Sequence, residues 1–407
     1  MNKRLPKLLA TAFAMALSCH SLFAENWITP LADDVYVSQL SIPGTHDSAT
    51  GEGFQGGLGG LFGSSMGLTQ DLGLSGQWDC GIRVFDLRPT VKQEGDEMML
   101  QIYHGILETK MSFKNALLLL RDKLIENPGE FAIVIMRHEN DANKDLQGNW
   151  SALMAQCLAS EEIADYLVPF KSKMTISDLR GKILVMSRDE YDKGPVGGYI
   201  DSWSHSDDFA EQRKGRFKRK NQTEIAMIQD FYELTMEGGS EKKKTTVLNL
   251  LQKSMSLSSL FWAINHTSGY TKSASSNSNR ENAQNTNGAV LEFLGDENNS
   301  GRTGIIMMDF AGVDESNGYQ THGLELTKAI IAQNRRYVPK ATAIAQVADD
   351  GNHITVKGRS VETDGPIAAY TISGSEVVSG TNRVTLPAKG TYIVKSKQKS
   401  RKVFVNK

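Results

Sequence analysis

Two histidines in the first third of the chain stand where acid–base chemistry could take place. His46 follows the mostly apolar run Val35–Ile42 after only a short proline–glycine break, and Asp47 stands beside it. His104 follows a second such run, Met98–Tyr103. One imidazole can take a proton from an attacking oxygen while another delivers a proton to a leaving oxygen. This pair of histidines is therefore suited to cleaving a phosphodiester.

An arginine and further carboxylates follow other β-rich runs. Arg88 comes directly after Arg83–Leu87, which contains Asp86, and Asp309 comes directly after Gly304–Met308. A fixed positive charge can neutralise the charge that develops on phosphorus during cleavage. A single His–Asp pair after a strand is more often structural than catalytic, so the interpretation depends on the whole set.

Eight short runs have the composition of strands, and several are nearly continuous apolar stretches, as in a sheet covered on both faces. They are Val35–Ile42, Arg83–Leu87, Met98–Tyr103, Phe131–Met136, Ile183–Met186, Ile225–Gln229, Leu260–Ile264 and Gly304–Met308. The helix predicted most clearly between them is Ser112–Glu126, with a serine cap. Because reactive residues follow each run, we predict a (β/α) barrel with its active site at the C-terminal ends of the strands. The alternative, an open doubly wound sheet, would begin with a glycine fingerprint that the sequence lacks.

The segment between Arg88 and His104 departs from this pattern. It is too short for a helix and contains the turn sequence KQEGDE. A hairpin folded about Asp96 would pair Arg88 with His104, unless a bulge shifts the register. We therefore predict an irregular barrel at this point.

The composition and the N-terminus indicate an exported protein. The net charge of −2 over 407 residues gives no reason to expect nucleic acid as a partner. Residues 1–24 have the basic start, apolar centre and small cleavage residue of a secretory signal, and no later run is apolar for long enough to span a bilayer. We expect a secreted, periplasmic or outer-surface protein. Lipidation of Cys19 is an alternative means of attachment.

Two domains are expected after this signal. Residues 25–339 would form the barrel, and residues 340–407, with short β-rich runs and turns, a small β-sandwich-like module. The closing sequence GTYIVKSKQKSRKVFVNK resembles the C-terminal sorting modules of proteins that some Bacteroidetes export across the outer membrane. A plain accessory β domain is the alternative. Cys80 and Cys157 are expected to be small buried residues rather than a disulfide.

Four motifs, in this order, resemble the X-type catalytic domain of bacterial phosphatidylinositol-specific phospholipase C: SIPGTHDSAT, GIRVFDLRP, YHG and NPGEFAIVIMRHE. The resemblance continues through GKILVMSR, IQDFY, INHTS and GIIMMDF and covers residues 27–338. It implies an α/β fold, a distorted, incompletely closed TIM barrel, here followed by a small all-β C-terminal domain. It also implies cleavage of phosphatidylinositol. Whether free phosphatidylinositol or a glycosylated anchor is preferred stays open.

The resemblance implies a role for each candidate catalytic residue. His46 would be the general base that deprotonates the inositol 2-hydroxyl, and Asp309 would orient it. The hydroxyl would attack the adjacent phosphorus and form a cyclic inositol phosphate. His104, supported by Asp47, would protonate the diacylglycerol oxygen as it leaves.

Arg88 would bind the phosphoryl oxygens, and Asp86 would position it. The animal branch of the family holds calcium at this point, whereas a guanidinium supplies positive charge without an ion. The resemblance therefore implies a metal-independent enzyme, and we expect no cofactor.

The inositol ring would be held by a second group of strand-end residues. By motif position, the ring contacts would be Arg137, Arg188, Asp230 and Tyr232, with the tyrosine stacked on the ring face. Arg137 stands where the bacterial branch often has lysine. For the neighbouring strand-end histidines, His138 and His266, we expect structural roles.

A lipid substrate also requires contact with a membrane surface. The glycine-rich segment Gly51–Gly67 should lie on the rim of the active site, and Leu61 and Phe62 within it are candidates for insertion. The alternative is a flexible loop that folds these residues back onto the barrel. The basic sequences RKGRFKRK and EKKKTT could attract anionic headgroups or could simply be solvated surface. We expect a monomer that contacts phosphatidylinositol-containing membranes peripherally and transiently.

Two other functions remain compatible with these residues. A glycerophosphodiesterase on a similar barrel would need a metal held by clustered carboxylates, where this sequence has an arginine. A surface binding protein that has lost catalysis would not need the whole set of histidines, aspartates and arginine. Activity that persists in excess EDTA would argue against the metal-dependent glycerophosphodiesterase. Any turnover would exclude the binding protein.

Overall fold

The chain forms two compact units that divide after Pro339. The computed structural model describes residues 26–171, 173–200, 203, 205, 214–219, 222–259, 261–339, 354–372, 374–397 and 399–405. The predicted signal, Cys19 and the two ends of RKGRFKRK lie outside these residues. Among the described helices, none is both long enough and apolar enough to cross a bilayer.

The first unit alternates strands and helices along most of its length. Its strands are β1 (Ser41–Thr45), β2 (Val84–Leu87), β3 (Pro89–Glu94), β4 (Glu97–His104), β5 (Leu107–Ser112), β6 (Ala132–Met136), β7 (Ile183–Ser187), β8 (Gly198–Tyr199), β9 (Lys214–Arg219), β10 (Gln222–Gln229), β11 (Trp262–His266), β12 (Gly304–Met308), β13 (Glu315–Ser316) and β14 (Tyr319–Gln320). Its helices are α1 (Gly57–Met66), α2 (Leu74–Asp79), α3 (Phe113–Glu126), α4 (Trp150–Leu158), α5 (Glu161–Ala164), α6 (Ile176–Leu179), α7 (Gly239–Ser256), α8 (Ser276–Gly295) and α9 (Gly323–Ala332).

The main sheet is a distorted TIM barrel that is not fully closed. Its strands follow the order β8-β7-β6-β2-β1-β12-β11-β10-β9. Successive strands are parallel except for β9, which runs antiparallel to β10. The two edges, β8 and β9, are not joined by a ladder of hydrogen bonds in the described part of the chain. The predicted fold class is confirmed.

The barrel strands are buried on both faces because their alternate residues pack into two different hydrophobic clusters. In β6, Ile133 and Ile135 join a cluster to which the barrel strands on both sides contribute, so this cluster fills the barrel. Val134 and Met136 join a second cluster that includes residues of α3 and α9, so it lies between the strands and the helices. This arrangement explains why these strands are apolar without alternation.

One predicted barrel strand belongs elsewhere. Met98–Tyr103 lies within β4, in a separate antiparallel sheet of order β3-β4-β5. The remaining parallel strand is instead β8, Gly198–Tyr199, which pairs with the end of β7. A strand of two residues contains no hydrophobic run, so it could not be recognised from its residues. Two other runs are displaced: the strands begin at Ser41 and Trp262 rather than at positions 35 and 260.

The predicted hairpin is present, but its register differs by one residue. Glu94 pairs with Glu97, so the turn is centred between Gly95 and Asp96 rather than on Asp96. Gly95 has a φ of 61°, a left-handed conformation that glycine adopts without strain. As a result, Arg88 lies opposite Tyr103 rather than His104, and the backbone N–H of Tyr103 donates to the Arg88 carbonyl at 3.1 Å.

The second unit is all β. Its strands β15 (Thr355–Lys357), β16 (Ser360–Thr371), β17 (Glu376–Thr385), β18 (Gly390–Ser396) and β19 (Lys399–Val405) form one antiparallel sheet with a hydrophobic cluster of its own. The longest strand, β16, pairs with β15, β17 and β18 and has a register irregularity between Glu362 and Pro366. The β-sandwich-like arrangement stays a prediction. In the first unit, Cys80 and Cys157 are unbridged and partly buried.

Candidate active site

The C-terminal ends of the barrel strands surround a cavity of about 480 Å³. The predicted residues that line it are His46, Asp47, Phe62, His104, Arg88, Arg137, Asp230, Tyr232 and Asp309. Three others do not contact it directly: Asp86 lies against Arg88, Arg188 stacks on Trp203, and Leu61 projects from the rim. The apolar side of the cavity comes from α1 and from Ile106.

Strand register brings His46 and Asp309 together. β1 and β12 are parallel neighbours in which Thr45 lies opposite Met308, so the next residue of each strand must be adjacent. Nδ1 of His46 lies 2.8 Å from Oδ1 of Asp309, and Nε2 lies 3.2 Å from Oδ2 of Asp47. Since Nδ1–H donates to Asp309, Nε2 is the nitrogen available to a substrate.

The two carboxylates determine the charge of this histidine. Burial disfavours an imidazolium, but Asp47 and Asp309 outweigh that effect and raise the pKa of His46 to about 9. Burial in turn raises the pKa of Asp309, while the histidine opposes this. His46 therefore carries a proton at neutral pH when no substrate is bound. It must lose that proton before it can act as a base.

Asp47 connects the two histidines to the arginine. It has a left-handed backbone conformation, with φ of 43°, and its side chain is buried. Oδ1 lies 2.9 Å from Nε of Arg88, whereas Oδ2 lies 3.2 Å from Nε2 of His46 and 3.5 Å from Nε2 of His104. A single carboxylate thus faces every charged group expected to act on a phosphate.

His104 is oriented by a backbone carbonyl. Its Nδ1–H donates to the Gly67 carbonyl at 2.7 Å, which turns Nε2 toward Asp47. A carbonyl oxygen can only accept, so Nε2 carries a proton only when the ring is charged. A Cβ at position 67 would lie 2.6 Å from Cδ1 of Leu107 and 3.1 Å from Nδ1 of His104. Gly67 is therefore needed for this contact, and the sequence reasoning did not identify it.

Arg88 is a buried guanidinium held between two carboxylates. Its Nη2 lies 2.8 Å from Oδ2 of Asp86. Burial opposes its charge, but Asp47 and Asp86 outweigh burial and raise its pKa above the usual range. Burial would raise the pKa of Asp86, but Arg88 holds it below its usual range.

The same part of the site offers ligand atoms for a cation. Atoms of His46, Asp47 and Asp86 lie within 4.8 Å of one another. Arg88 already bonds both of these carboxylates, so a metal ion would compete with its charge. The donor set therefore fits the guanidinium better than it fits a divalent ion.

Another part of the site holds the candidate ring-binding residues. Asp230 Oδ2 accepts from Trp203 Nε1 at 2.7 Å and lies 3.1 Å from Nδ1 of His205. The guanidinium of Arg188 stacks on Trp203 at 4.0 Å, and burial lowers its pKa to about 10. Tyr232 is 38% exposed and meets His205 edge to face. The sequence reasoning missed Trp203 and His205 because they follow no predicted strand.

Arg137 lies at the edge of the cavity with one-third of its side chain exposed. Its Nη2 is 3.9 Å from Oε1 of Glu139, a buried carboxylate whose pKa is raised by burial. Oε1 of Glu139 is buried without a hydrogen-bond partner in the described residues. Glu139 also lines the cavity and was not predicted.

The two histidines expected to be structural occupy different places. His138 stacks on Trp150, and its Nε2 lies 2.8 Å from Oε1 of Gln147, so its hydrogen bonding is satisfied away from the cavity. His266 is buried beside His46, with ring centroids 5.9 Å apart. Burial lowers the pKa of His266 to about 3, so it is neutral.

Within the glycine-rich rim segment, residues 57–66 form the helix α1 rather than a flexible loop, which was the alternative considered for this segment. Glycines let α1 pack closely, because a Cβ at Gly63 would lie 2.1 Å from Phe54 and one at Gly59 would lie 2.9 Å from the backbone of Glu108. The larger apolar side chains remain outside, with Leu61 75% and Phe62 47% exposed. The rim of the cavity is therefore a short apolar helix.

The fold and the strand-end site define a barrel protein in which two histidines and an arginine face one buried aspartate. No family model matches the chain. The 1-phosphatidylinositol phosphodiesterase of Listeria monocytogenes is 28% identical over 180 residues, which is 43% of this chain and about half, 52%, of that relative. The enzyme of the same name from Staphylococcus aureus strain Newman is 24% identical over 296 residues, covering 71% of this chain and 88% of the relative.

Solved structures of phosphatidylinositol-specific phospholipases C also match the fold of this chain. A double mutant of the phosphatidylinositol-specific phospholipase C from S. aureus matches with a TM-score of 0.62 at 22% identity, covering 78% of this chain and 98% of that one. The phosphatidylinositol-specific phospholipase C of L. monocytogenes matches with a TM-score of 0.56 at 22% identity, covering 77% and 99%. The resemblance indicated by the sequence motifs is confirmed.

Proposed function

We propose that this protein is a phospholipase C that cleaves phosphatidylinositol by attack of the inositol 2-hydroxyl on the adjacent phosphorus. A bond forms between that oxygen and phosphorus, and the bond from phosphorus to the glycerol oxygen breaks. The products are diacylglycerol and a cyclic inositol phosphate. The observation that carries the proposal is the placement of His46, His104 and Arg88 around Asp47, with all four lining one cavity.

The two histidines take opposite parts in this reaction. Nε2 of His46 accepts the proton of the 2-hydroxyl, and Asp309 keeps the ring oriented and stabilises the imidazolium that forms. Nε2 of a protonated His104 delivers a proton to the glycerol oxygen. Oδ2 of Asp47 lies 3.5 Å from that nitrogen. Turnover therefore requires a neutral His46 and a charged His104, which predicts a bell-shaped pH profile.

Arg88 binds the phosphoryl oxygens and supplies the charge that would otherwise require a metal ion. Asp47 and Asp86 hold its planar guanidinium in one orientation. Asp230, Tyr232 and Arg137, which also line the cavity, contact the inositol ring. Arg188 does not line the cavity. It stacks on Trp203 and therefore supports the ring-binding residues indirectly.

The substrate is reached by peripheral contact with a membrane. Leu61 projects from the rim helix and Phe62 both lines the cavity and remains half exposed. Insertion of this face would place the cavity mouth against the headgroups. The protein would act as a monomer.

Export would be directed by residues 1–24, and residues 340–407 would serve as a sorting or accessory module. Each unit has its own hydrophobic cluster, so the barrel should not depend on the module. A chain ending at Pro339 is expected to hydrolyse a soluble inositol phosphodiester at near the full rate. An insoluble or inactive truncated chain would show that the domain boundary is wrong.

Incubation with phosphatidylinositol, phosphatidylcholine and glycerophosphoinositol, each with and without EDTA, tests the proposed function. Products are identified by phosphorus NMR. We expect cleavage of the inositol lipid in both conditions and no cleavage of phosphatidylcholine. Cleavage that EDTA abolishes and a metal restores would instead favour a metal-dependent phosphodiesterase. Absence of turnover on every substrate would favour a binding protein.

A further inference from the structure

A fully buried lysine lies behind the inositol side of the cavity. Lys243 is the middle residue of the basic sequence in α7, where Lys242 is exposed and Lys244 pairs with Glu241 at the surface. Its side chain forms no ion pair with any described residue. Lys243 also shares the buried stripe of α7 with Val247 and Leu250, which explains why it points inward.

The ammonium group of Lys243 holds the end of β10. Nζ donates to Oε1 of Gln229 at 3.2 Å and to the carbonyl of Phe231. These two residues flank Asp230. The backbone N–H of Phe231 donates to the same Gln229 oxygen at 2.8 Å, so one buried amino group closes a compact turn around Asp230.

Gln229 extends this connection to the next strand. Its Nε2 donates to Oδ1 of Asn265 at 2.7 Å and to the carbonyl of His266 at 2.8 Å. Lys243 is therefore bonded to the ends of β10 and, through Gln229, β11.

The position is electrostatically costly for a purely structural residue. An apolar side chain would fill a buried helix stripe without desolvating a charge. Burial lowers the pKa of Lys243 to about 7, and only the carboxylates of Asp230 and Asp309 oppose that shift. Both belong to the candidate active site.

We propose that Lys243 is a positioning residue for the substrate: by bonding Gln229 and Phe231 it fixes the turn that presents Asp230 and Tyr232 to the inositol ring. This inference rests on the proposed function. Lys243 does not contact the ring or the phosphate, and its effect should be on ring binding rather than on the transfer of protons at His46 and His104.

The test compares steady-state kinetics of Lys243→Met and Lys243→Gln with the wild type, using a short-chain phosphatidylinositol below its micelle concentration. Lys243→Met removes both hydrogen bonds of Nζ, so KM should rise about tenfold, with a smaller change in kcat. Lys243→Gln keeps an N–H donor and should recover part of this loss. Lys244→Met, on the exposed side of the same helix, is the control and should behave as the wild type.

Several outcomes would overturn the inference. A wild-type KM in Lys243→Met, or a loss confined to kcat, would show that Lys243 does not position the ring. If neither variant can be obtained folded, Lys243 serves the fold and the proposal is wrong. If the wild type itself does not cleave the lipid, the proposed function fails, which is a different result.

Discussion

Replacing Asp309 with asparagine should lower the pKa of His46 while leaving an acceptor for its ring. The carboxylate lies 2.8 Å from Nδ1 of His46 and helps to raise its pKa from 6.5 to about 9. A hydrogen bond to a charged group is worth ~1.5–3 kcal/mol, which corresponds to ~1–2 pKa units. In Asp309→Asn we therefore expect His46 to titrate at pH ~7–8.

Two measurements check this shift. Nuclear magnetic resonance of ¹⁵N-histidine-labelled protein gives the titration of His46 directly, with its signal assigned by His46→Asn. The rising limb of kcat/KM against pH should move to lower pH by the same amount, although kcat itself should fall because the ring is held less firmly. Asp314→Asn is the control, since Asp314 caps α9 and should leave both values unchanged.

The pH dependence of the free energy of unfolding provides a second, independent test of the raised His46 pKa. A histidine whose pKa is raised on folding stabilises the fold below its unfolded pKa of 6.5, and this stabilisation is lost as the pH rises through about 9. Asp309→Asn should therefore lower the free energy of unfolding more at pH ~6 than at pH ~9.5, and the two decreases should differ by ~1.5–3 kcal/mol. Urea unfolding can be followed by fluorescence, because all five tryptophans lie in the barrel unit. A His46 that titrates near 6.5 in the wild type, or does not respond to Asp309→Asn, would refute this reasoning.

Four further variants should separate the parts of the mechanism. His46→Ala and His104→Ala should each reduce kcat by ~10²–10⁴-fold without loss of fold, as measured by turnover and circular dichroism. Arg88→Lys should be strongly impaired, because a point charge cannot reproduce a planar fork between two carboxylates and a phosphate. Replacing Leu61 by serine should reduce cleavage in vesicles but not cleavage of a soluble substrate, since Leu61 projects from the rim and, unlike Phe62, does not line the cavity.

The histidine variants and the rim variant each have a matched control, and every prediction has a contrary result. His322→Ala removes a partly exposed histidine outside the cavity, and Ile125→Ser removes an exposed apolar residue of α3. Both should behave as the wild type. Near wild-type turnover in either active-site histidine variant, or in Arg88→Lys, would contradict the assigned roles. Equal losses on vesicles and on soluble substrate in the rim variant would contradict membrane insertion.

The sequence could predict the barrel because its strands are buried on both faces. Runs such as 131–136 and 304–308 are apolar throughout, and the residue after each strand must lie at the same end of a parallel barrel. The same signal misplaced Met98–Tyr103, since a strand of a neighbouring antiparallel sheet can be equally apolar. β8 left no signal because two residues cannot show a period.

Most of the predicted site residues lie at or just after the end of a strand, and Phe62 was predicted from its glycine-rich segment. His46, Arg88 and Asp309 directly follow strands, and the structure brings them together. Trp203 and His205 come from a connection, and Gly67 matters through its carbonyl, so no pattern pointed to them. Lys243 did carry a signal: it is in phase with the buried stripe of α7, but a run of lysines favours interpretation as a solvated surface.

The most direct test of the mechanism is the route by which the first product forms. Phosphatidylinositol is incubated with the protein in H₂¹⁸O and excess EDTA, and early products are followed by phosphorus NMR and mass spectrometry. Attack by the inositol 2-hydroxyl predicts that a cyclic inositol phosphate without ¹⁸O appears first. An acyclic inositol phosphate that carries ¹⁸O from the earliest times, or no product until a metal is restored, would contradict it.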